Sequence, residues 1–204
     1  QRKILWAAIK KPLFVKEIKV AQFQGYVSEQ SDYHHGEVSL NEAIVGMAHD
    51  YVGSNNLNIL MPNGQFGTRM GGGKDLKAGK DAASARYIYT QLNHCVSLLF
   101  KKEDNPILEY NQSDEHKHIE PVIYYPILPT ILMNGTDGIG TGYSTQLPLY
   151  DPQQIIDYIK SKLNNMNYTK EIIPFYRGFK GSITKESEFC YVSHGIYSVV
   201  GKDK

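Results

Sequence analysis

Cysteine is scarce in these 204 residues, with only Cys95 and Cys190 present. Two thiols so far apart supply neither a disulfide framework nor a zinc spacing, which suits a reducing compartment. Long apolar runs are missing too. None reaches the ~18 residues that a membrane span needs, and the opening Gln1-Arg2-Lys3-Ile4-Leu5-Trp6 has no signal-peptide core. Nor is charge of one sign in excess. Twenty-two basic residues face twenty-one acidic ones, for a net +1. Global charge therefore names no polyanionic partner, and any nucleic-acid site must be local. There is no initiator Met, and the chain stops at Lys204 without a terminal motif, so it reads as a piece of a longer protein.

What remains is ordinary globular composition, 41% hydrophobic and 21% charged. At ~150 residues per domain this makes one large domain or two small ones. Residues 1–11 show Leu5, Ala8 and Ile9 at helical spacing, with Pro12 as the stop. Val20, Ala21, Phe23 and Val27 predict a second helix within 17–31. A third should begin at Ser39, where Glu42 completes a capping box, carry Leu40, Ala43, Ile44, Met47, Ala48 and Tyr51 inward, and end at Gly53. The short joint Asp32-Tyr33-His34-His35-Gly36 makes the pair a helix-turn-helix. Leu57, Ile59 and Met61 then alternate as a strand. Pro62-Asn63-Gly64 turns it, and residues 65–70 would return as a hairpin partner. Residues 71–85 read as a Gly/Lys loop, 86–90 as a strand and 120–150 as compact irregular backbone. A helix from Asp151 to Leu163 faces Ile155, Ile156, Ile159 and Leu163 inward, with short strands beyond Phe175. The expected fold class is mixed α/β (α+β), with a winged-helix arrangement over residues 1–100 and a second unit from about 145.

Four segments could carry chemistry. Arg69, Lys74, Lys77, Lys80 and Arg86 lie in or beside a glycine-rich loop that can track phosphates or simply be a solvated surface. Arg86-Tyr87 pairs a phenol with a guanidinium. The phenol's pKa of ~10 makes it a poor nucleophile without help, and the cation would stabilise both phenolate and a phosphoryl group in flight. The same dipeptide also fits a packed strand. His34-His35 can contact phosphate or merely close a turn, since adjacent histidines on a regular helix diverge and no third zinc ligand follows. Gly138-Ile139-Gly140-Thr141-Gly142 is no Rossmann fingerprint, because Pro148 precludes the helix such a site requires. Its isolated Ile139 can pack inward or protrude as a wedge between base pairs.

Ten ordered segments together resemble type IIA DNA topoisomerases, in wording close to the eukaryotic topoisomerase II branch. They are Lys19-Val20-Ala21-Gln22, Tyr33 to Leu40, Val52 to Asn56, Asn63 to Arg69, Gly79-Lys80-Asp81, Arg86-Tyr87-Ile88, Ile127-Leu128-Pro129, Asn134-Gly135, Gly138 to Gly142 and Phe179-Lys180-Gly181. The resemblance spans nearly the whole chain, fading after about residue 185. It implies a winged-helix DNA cleavage domain over 1–144, followed by the start of a mixed α/β tower domain over 145–204. It also implies that Tyr87 is the nucleophile, Arg86 its phosphate-stabilising partner and His35 a histidine near the scissile phosphate. Lys3, Tyr33, His34, Ser39, Arg69 and Lys80 would contact double-stranded DNA, and Ile139 would intercalate.

The resemblance further implies a homodimeric, nuclear, ATP-dependent enzyme that uses Mg²⁺. No acidic metal cluster, P-loop or other ATP site is written here, so no residue of this chain is expected to bind metal or nucleotide. The other classes of function are a non-catalytic winged-helix DNA-binding module and a nucleotide-binding protein that uses the glycines of residues 134–142. Three features depart from the family pattern. A six-residue insertion duplicates the Gly-Lys-Asp motif, leaving Lys80-Asp81 at the usual spacing to Tyr87. Ala85 stands where Pro is common before Arg-Tyr, and His49-Asp50 where Gln is usual.

Overall fold

The computed structural model describes residues 1–11, 13–71, 78–114, 118–188 and 190–201. The expected helix stop Pro12, the Gly73-Lys74-Asp75 copy and Lys77 lie outside the described residues. The chain is a mixed α/β assembly of helices and small antiparallel sheets, and it forms two compact units. One comprises residues 1–51 and 57–130, the other residues 52–56 and 131–204.

In the first unit, helix α1 (Arg2–Lys10) buries Ile4, Leu5, Ala7 and Ala8 on one face. Strand β1 (Ile18–Lys19) runs directly into α2 (Val20–Ser31), which buries Val20, Phe23 and Val27. Asp32 closes α2 in the left-handed region (φ 51). Its short polar side chain tolerates this conformation better than most. Helix α3 follows (Glu37–Ala48), with Leu40, Ile44, Val45, Met47 and Ala48 buried. The capping box expected at Ser39 does not form. Gly36 (φ 86) is the N-cap, and Ser39 lies inside the first turn. At the other end the helix stops at Ala48, before Gly53. There the Asn58 side-chain amide donates to the carbonyls of Ala48 and His49 at 2.7 and 2.8 Å, satisfying two groups that a helix end leaves open.

Strand β2 (Tyr89–Thr90) pairs antiparallel with β1, Ile18 opposite Thr90 and Lys19 opposite Tyr89. Single bridges join Leu60 to Leu92 and Asn63 to Tyr89. Residues 60–63 thus pair with the 89–92 segment, and the local hairpin expected with 65–70 is not formed. The physical reason is burial period. Ile88, Thr90 and Leu92 are buried at alternate positions, as a half-buried strand requires, whereas the 65–70 segment bends at Gly67 (φ 101) into the base of a loop. Helix α4 (Val96–Leu99) and a 3₁₀ helix (Lys102–Ile107) follow, and an antiparallel bridge joins Tyr110 to Pro121.

In the second unit, α5 (Thr130–Asn134) leads into a regular hairpin, β3 (Thr136–Gly140) with β4 (Tyr143–Leu147). This replaces the irregular backbone that the glycine content predicts. The glycines that mask the strand sit opposite larger partners, Gly138 facing Thr145 and Gly140 facing Tyr143. Gly142 (φ 82) closes the two-residue turn. Helix α6 (Pro152–Leu163) starts as expected, with Asp151 Oδ1 accepting from Gln153 N at 3.0 Å and Pro152 in the first turn. Ile155 is buried, but Leu163 is exposed, because it lies at the last residue of the helix. A hairpin of β5 (Ser182–Ser187) and β6 (Cys190–His194) follows. Asn56 is buried in this unit, donating to the carbonyls of Tyr150 and Phe175 at 3.0 and 2.9 Å and accepting from Arg177 N at 2.8 Å.

Candidate functional site

The segment carrying Tyr87 is fastened at both sides. Lys19 offers α2 no side-chain cap, so the first helical N–H groups need other acceptors. Val20 N–H donates to the Ile88 carbonyl and Ala21 N–H to the Ala85 carbonyl, each at 3.0 Å. Tyr87 N–H donates to the Ser84 carbonyl at 2.8 Å, closing a turn. Arg86 and Tyr87 therefore belong to this turn and not to the strand expected over 86–90, of which only Tyr89–Thr90 pairs. Ile88 is the anchor, since full burial of such a side chain contributes roughly 1.5–3 kcal/mol. Gly64 (φ 128) fits against it, where a Cβ would come within 2.8 Å of Ile88 Cγ2.

Anchoring Ile88 inward turns its neighbour outward. Tyr87 is 71% exposed, which excludes the packed-strand reading of this residue. Arg86 is also exposed, and its guanidinium lies 5.5 Å from the Tyr87 ring centroid. A phenol in water beside a permanent cation can reach an external phosphate.

The α2–α3 joint presents the histidines. Tyr33 Oη donates to Ser39 Oγ at 3.3 Å, and the Tyr33 ring stands edge-on to His35 at 5.5 Å. Tyr33, itself partly buried against the core, thereby orients an exposed His35 and ties down an exposed Ser39. His34 points elsewhere, its Nε2 lying 2.9 Å from Asp32 Oδ1.

The basic loop is pinched at its base. Asp81 accepts from Thr68 N–H and Thr68 Oγ, both at 2.7 Å, and these bonds hold its carboxyl below the ordinary aspartate pKa. Gly79 N–H donates to the Thr68 carbonyl at 2.8 Å, and Ala83 N–H to the Gln65 carbonyl at 2.9 Å. Gly67 and Gly79 touch so closely that a Cβ on Gly67 would lie 2.6 Å from the Gly79 carbonyl oxygen. His49 and Tyr51 wall the other side, hydrogen-bonded at 3.2 Å. Burial pushes the His49 imidazole pKa down. Lys80 lowers it further, while Asp50, a hydrogen bond with the Phe66 backbone and Asp81 oppose the shift. Arg69 leaves this clasp exposed.

Two of the expected DNA cations are engaged within the protein. Lys80 Nζ pairs with Glu42 Oε1 on α3 at 2.6 Å. Lys3 Nζ pairs with Glu120 Oε2 at 3.0 Å and donates to the Ser31 carbonyl. In the second unit Ile139 is 92% exposed on β3, opposite the small Ser144. It does not pack inward, and no glycine-rich cradle forms around it. Sequence reasoning missed the Thr68–Asp81 clasp, although the Gly-Thr and Lys-Asp pairs bracketing a glycine loop carry the necessary donor and acceptor. Among the described residues no three His, Cys, Asp or Glu side chains gather as metal ligands. These residues therefore offer no donor set that fits Mg²⁺. No helix among them is long and apolar enough to cross a membrane.

The family model for the A-subunit of DNA gyrase/topoisomerase IV matches residues 1–204. The chain is 52% identical over 204 residues to DNA topoisomerase 2 of Arabidopsis thaliana, covering 98% of this chain and 13% of that protein. It is 50% identical over 203 residues to the mitochondrial DNA topoisomerase 2 of Dictyostelium discoideum, covering 100% of this chain and 15% of that one. The crystal structure of the Plasmodium falciparum topoisomerase II DNA-binding, cleavage and re-ligation domain superposes with a TM-score of 0.90 at 44% identity, over 98% of this chain and 26% of that one. The chain thus spans roughly one seventh of the curated relatives it matches.

Proposed function

The chain belongs to the DNA gyrase/topoisomerase IV family, and from that premise we propose that it is the DNA cleavage and religation module of a type II topoisomerase. The exposed Tyr87 phenol beside the Arg86 guanidinium is the observation that carries the reading. Tyr87 Oη gives up its proton and attacks a backbone phosphorus in line. The new P–O bond forms as the bond to the 3′ oxygen breaks, and that oxygen takes up a proton. The product is a 5′-phosphotyrosine, and the reverse displacement reseals the strand at no net cost in phosphodiester bonds. Negative charge grows on the phosphoryl oxygens during transfer, and Arg86 supplies fixed positive charge against it. His35, oriented by Tyr33, serves as a hydrogen-bonding partner of the same phosphate.

In this reading residues 1–144 form the winged-helix cleavage domain and residues 145–204 begin the tower domain. Helix α3 positions double-stranded DNA through backbone contacts with Ser39, Tyr33, His34 and Arg69 around its start and the loop base, so sequence preference is weak. Lys80 reaches DNA by exchanging Glu42 for a phosphate. Lys3 holds the fold beneath the interface. Ile139 enters a base step and unstacks it for a few kcal/mol, bending the cleaved segment. The whole enzyme is a nuclear homodimer that passes a second duplex through the break. Mg²⁺ and ATP are held by parts of it other than the described residues.

The test is Tyr87→Phe in the full-length topoisomerase that carries this segment. Loss of covalent DNA trapping with DNA binding retained supports the proposal. Unchanged relaxation overturns it and leaves a DNA-binding winged helix without chemistry.

A further inference from the structure

Exposure alternates along the segment after the Arg86–Tyr87 turn. Tyr87 and Tyr89 face outward, while Ile88 and Thr90 are buried. The antiparallel register places Lys19 directly opposite Tyr89, so the two side chains share one face. The Lys19 ammonium lies 5.7 Å from the Tyr89 ring centroid, within reach of a cation–π contact. The same relation joins Arg86 to Tyr87 at 5.5 Å. Two tyrosines, each beside a cation, thus stand in succession along this segment.

Lys19 differs from two of the expected DNA lysines, Lys3 and Lys80, in what holds it. Lys3 and Lys80 are engaged by Glu120 and Glu42. Lys19 makes no ion pair among the described residues. Glu17 is exposed two residues earlier, but its carboxylate accepts from Asn63 Nδ2 at 2.8 Å. The N–H groups of Val20 and Ala21 already donate to Ile88 and Ala85, so binding here falls to the side chain and not to the end of α2. An aromatic ring under an ammonium limits where the flexible stem can place it, without neutralising its charge.

We propose that Lys19 is a further DNA contact of the cleavage face, held over Tyr89 so that its ammonium binds a backbone phosphate flanking the one Tyr87 attacks. The inference rests on the nucleophile assignment for the place of the phosphate, though not for its existence. Lys19 is a positioning residue here, because it touches the DNA backbone and not the reacting atoms.

The experiment measures non-covalent binding of a short duplex to the full-length enzyme in EDTA, across a salt series, for Lys19→Gln, Lys19→Arg and Tyr87→Phe. One lost phosphate contact flattens the slope of log K against log salt by about 0.9, so the affinity ratio between 50 and 200 mM salt shrinks about 3.5-fold. Lys19→Gln should show this flattening and raise the DNA concentration needed for half-maximal cleavage, with cleavage at saturating DNA retained. Lys19→Arg should restore the slope. An unchanged slope in Lys19→Gln, or an equal loss in Lys19→Arg, overturns the proposal. Tyr87→Phe should keep the full slope while losing covalent trapping. If it still traps DNA, the nucleophile assignment fails, and the Lys19 result is read separately from the slope alone.

Discussion

Replacing Lys3 by Met separates a structural cation from a DNA-binding one. Glu120 is nearly buried, its side chain 5% exposed, while that of Lys3 is 29% exposed. The carboxylate also accepts from Asn111 Nδ2 at 3.3 Å, a long bond. Removing one partner of a buried pair costs about 3–5 kcal/mol, because the other charge stays in a poorly solvating site. Water reaching Lys3 in the native protein weakens that pairing, so about 2–3 kcal/mol is the expected loss. The 204-residue chain has one tryptophan, Trp6, and it stands one helical turn from Lys3 on α1. Urea unfolding followed by its fluorescence therefore reports on this site. The midpoint should fall with little change in slope. Glu120→Gln added to Lys3→Met should recover part of the loss, because the unpaired charge disappears, and the double-mutant cycle should give a coupling above ~1 kcal/mol. The salt dependence of DNA binding should not change. A Lys3→Met midpoint within error of wild type, together with a flattened salt slope, would refute the reasoning and make Lys3 a phosphate contact.

Gly67→Ala should destabilise by at least ~1–3 kcal/mol, since φ is 101 and the Gly79 backbone blocks the new Cβ. Gly140→Ala should be far milder, because only the movable end of the Tyr143 ring lies in the way; paired urea melts make the comparison. Burial lowers the His49 pKa in the folded chain, so the unfolded chain takes up the proton first as pH falls. Stability should therefore decline below about pH 6.5, and His49→Gln should flatten that decline in denaturation measured from pH 7.5 to 5. Ile139→Ala should leave stability within about 0.5 kcal/mol, the side chain being almost fully in water, yet abolish DNA bending seen by energy transfer between duplex ends.

Legibility follows the physical signal. Helices α1, α2 and α3 are readable because their apolar residues recur at helical spacing and bury as that spacing demands; α6 is readable from the same spacing and its Asp151-Pro152 start, although of its expected inward residues only Ile155 is buried. The cap of α3 misleads since Ser39 and Glu42 imitate a capping box, whereas Gly36 can turn the chain three residues earlier. The hairpin expected over 57–70 loses to a long-range pairing with 89–92, which local alternation cannot reveal. The β3–β4 hairpin is hidden because glycine carries no strand propensity. At the site, the types of Arg86, Tyr87 and Ile139 suggest their chemistry, but only the fold shows Tyr87 and Ile139 in solvent. That Lys3 and Lys80 are paired with glutamates 117 and 38 positions away is beyond any local pattern.

The most direct test identifies the amino acid that carries DNA. Cleavage complexes of the full-length enzyme are trapped with denaturant, digested with nuclease and protease, and sequenced by mass spectrometry. The account predicts a nucleotide joined through its 5′ phosphate to the phenolic oxygen of Tyr87. An adduct on Tyr89 or any other residue, with Tyr87 unmodified, would contradict it.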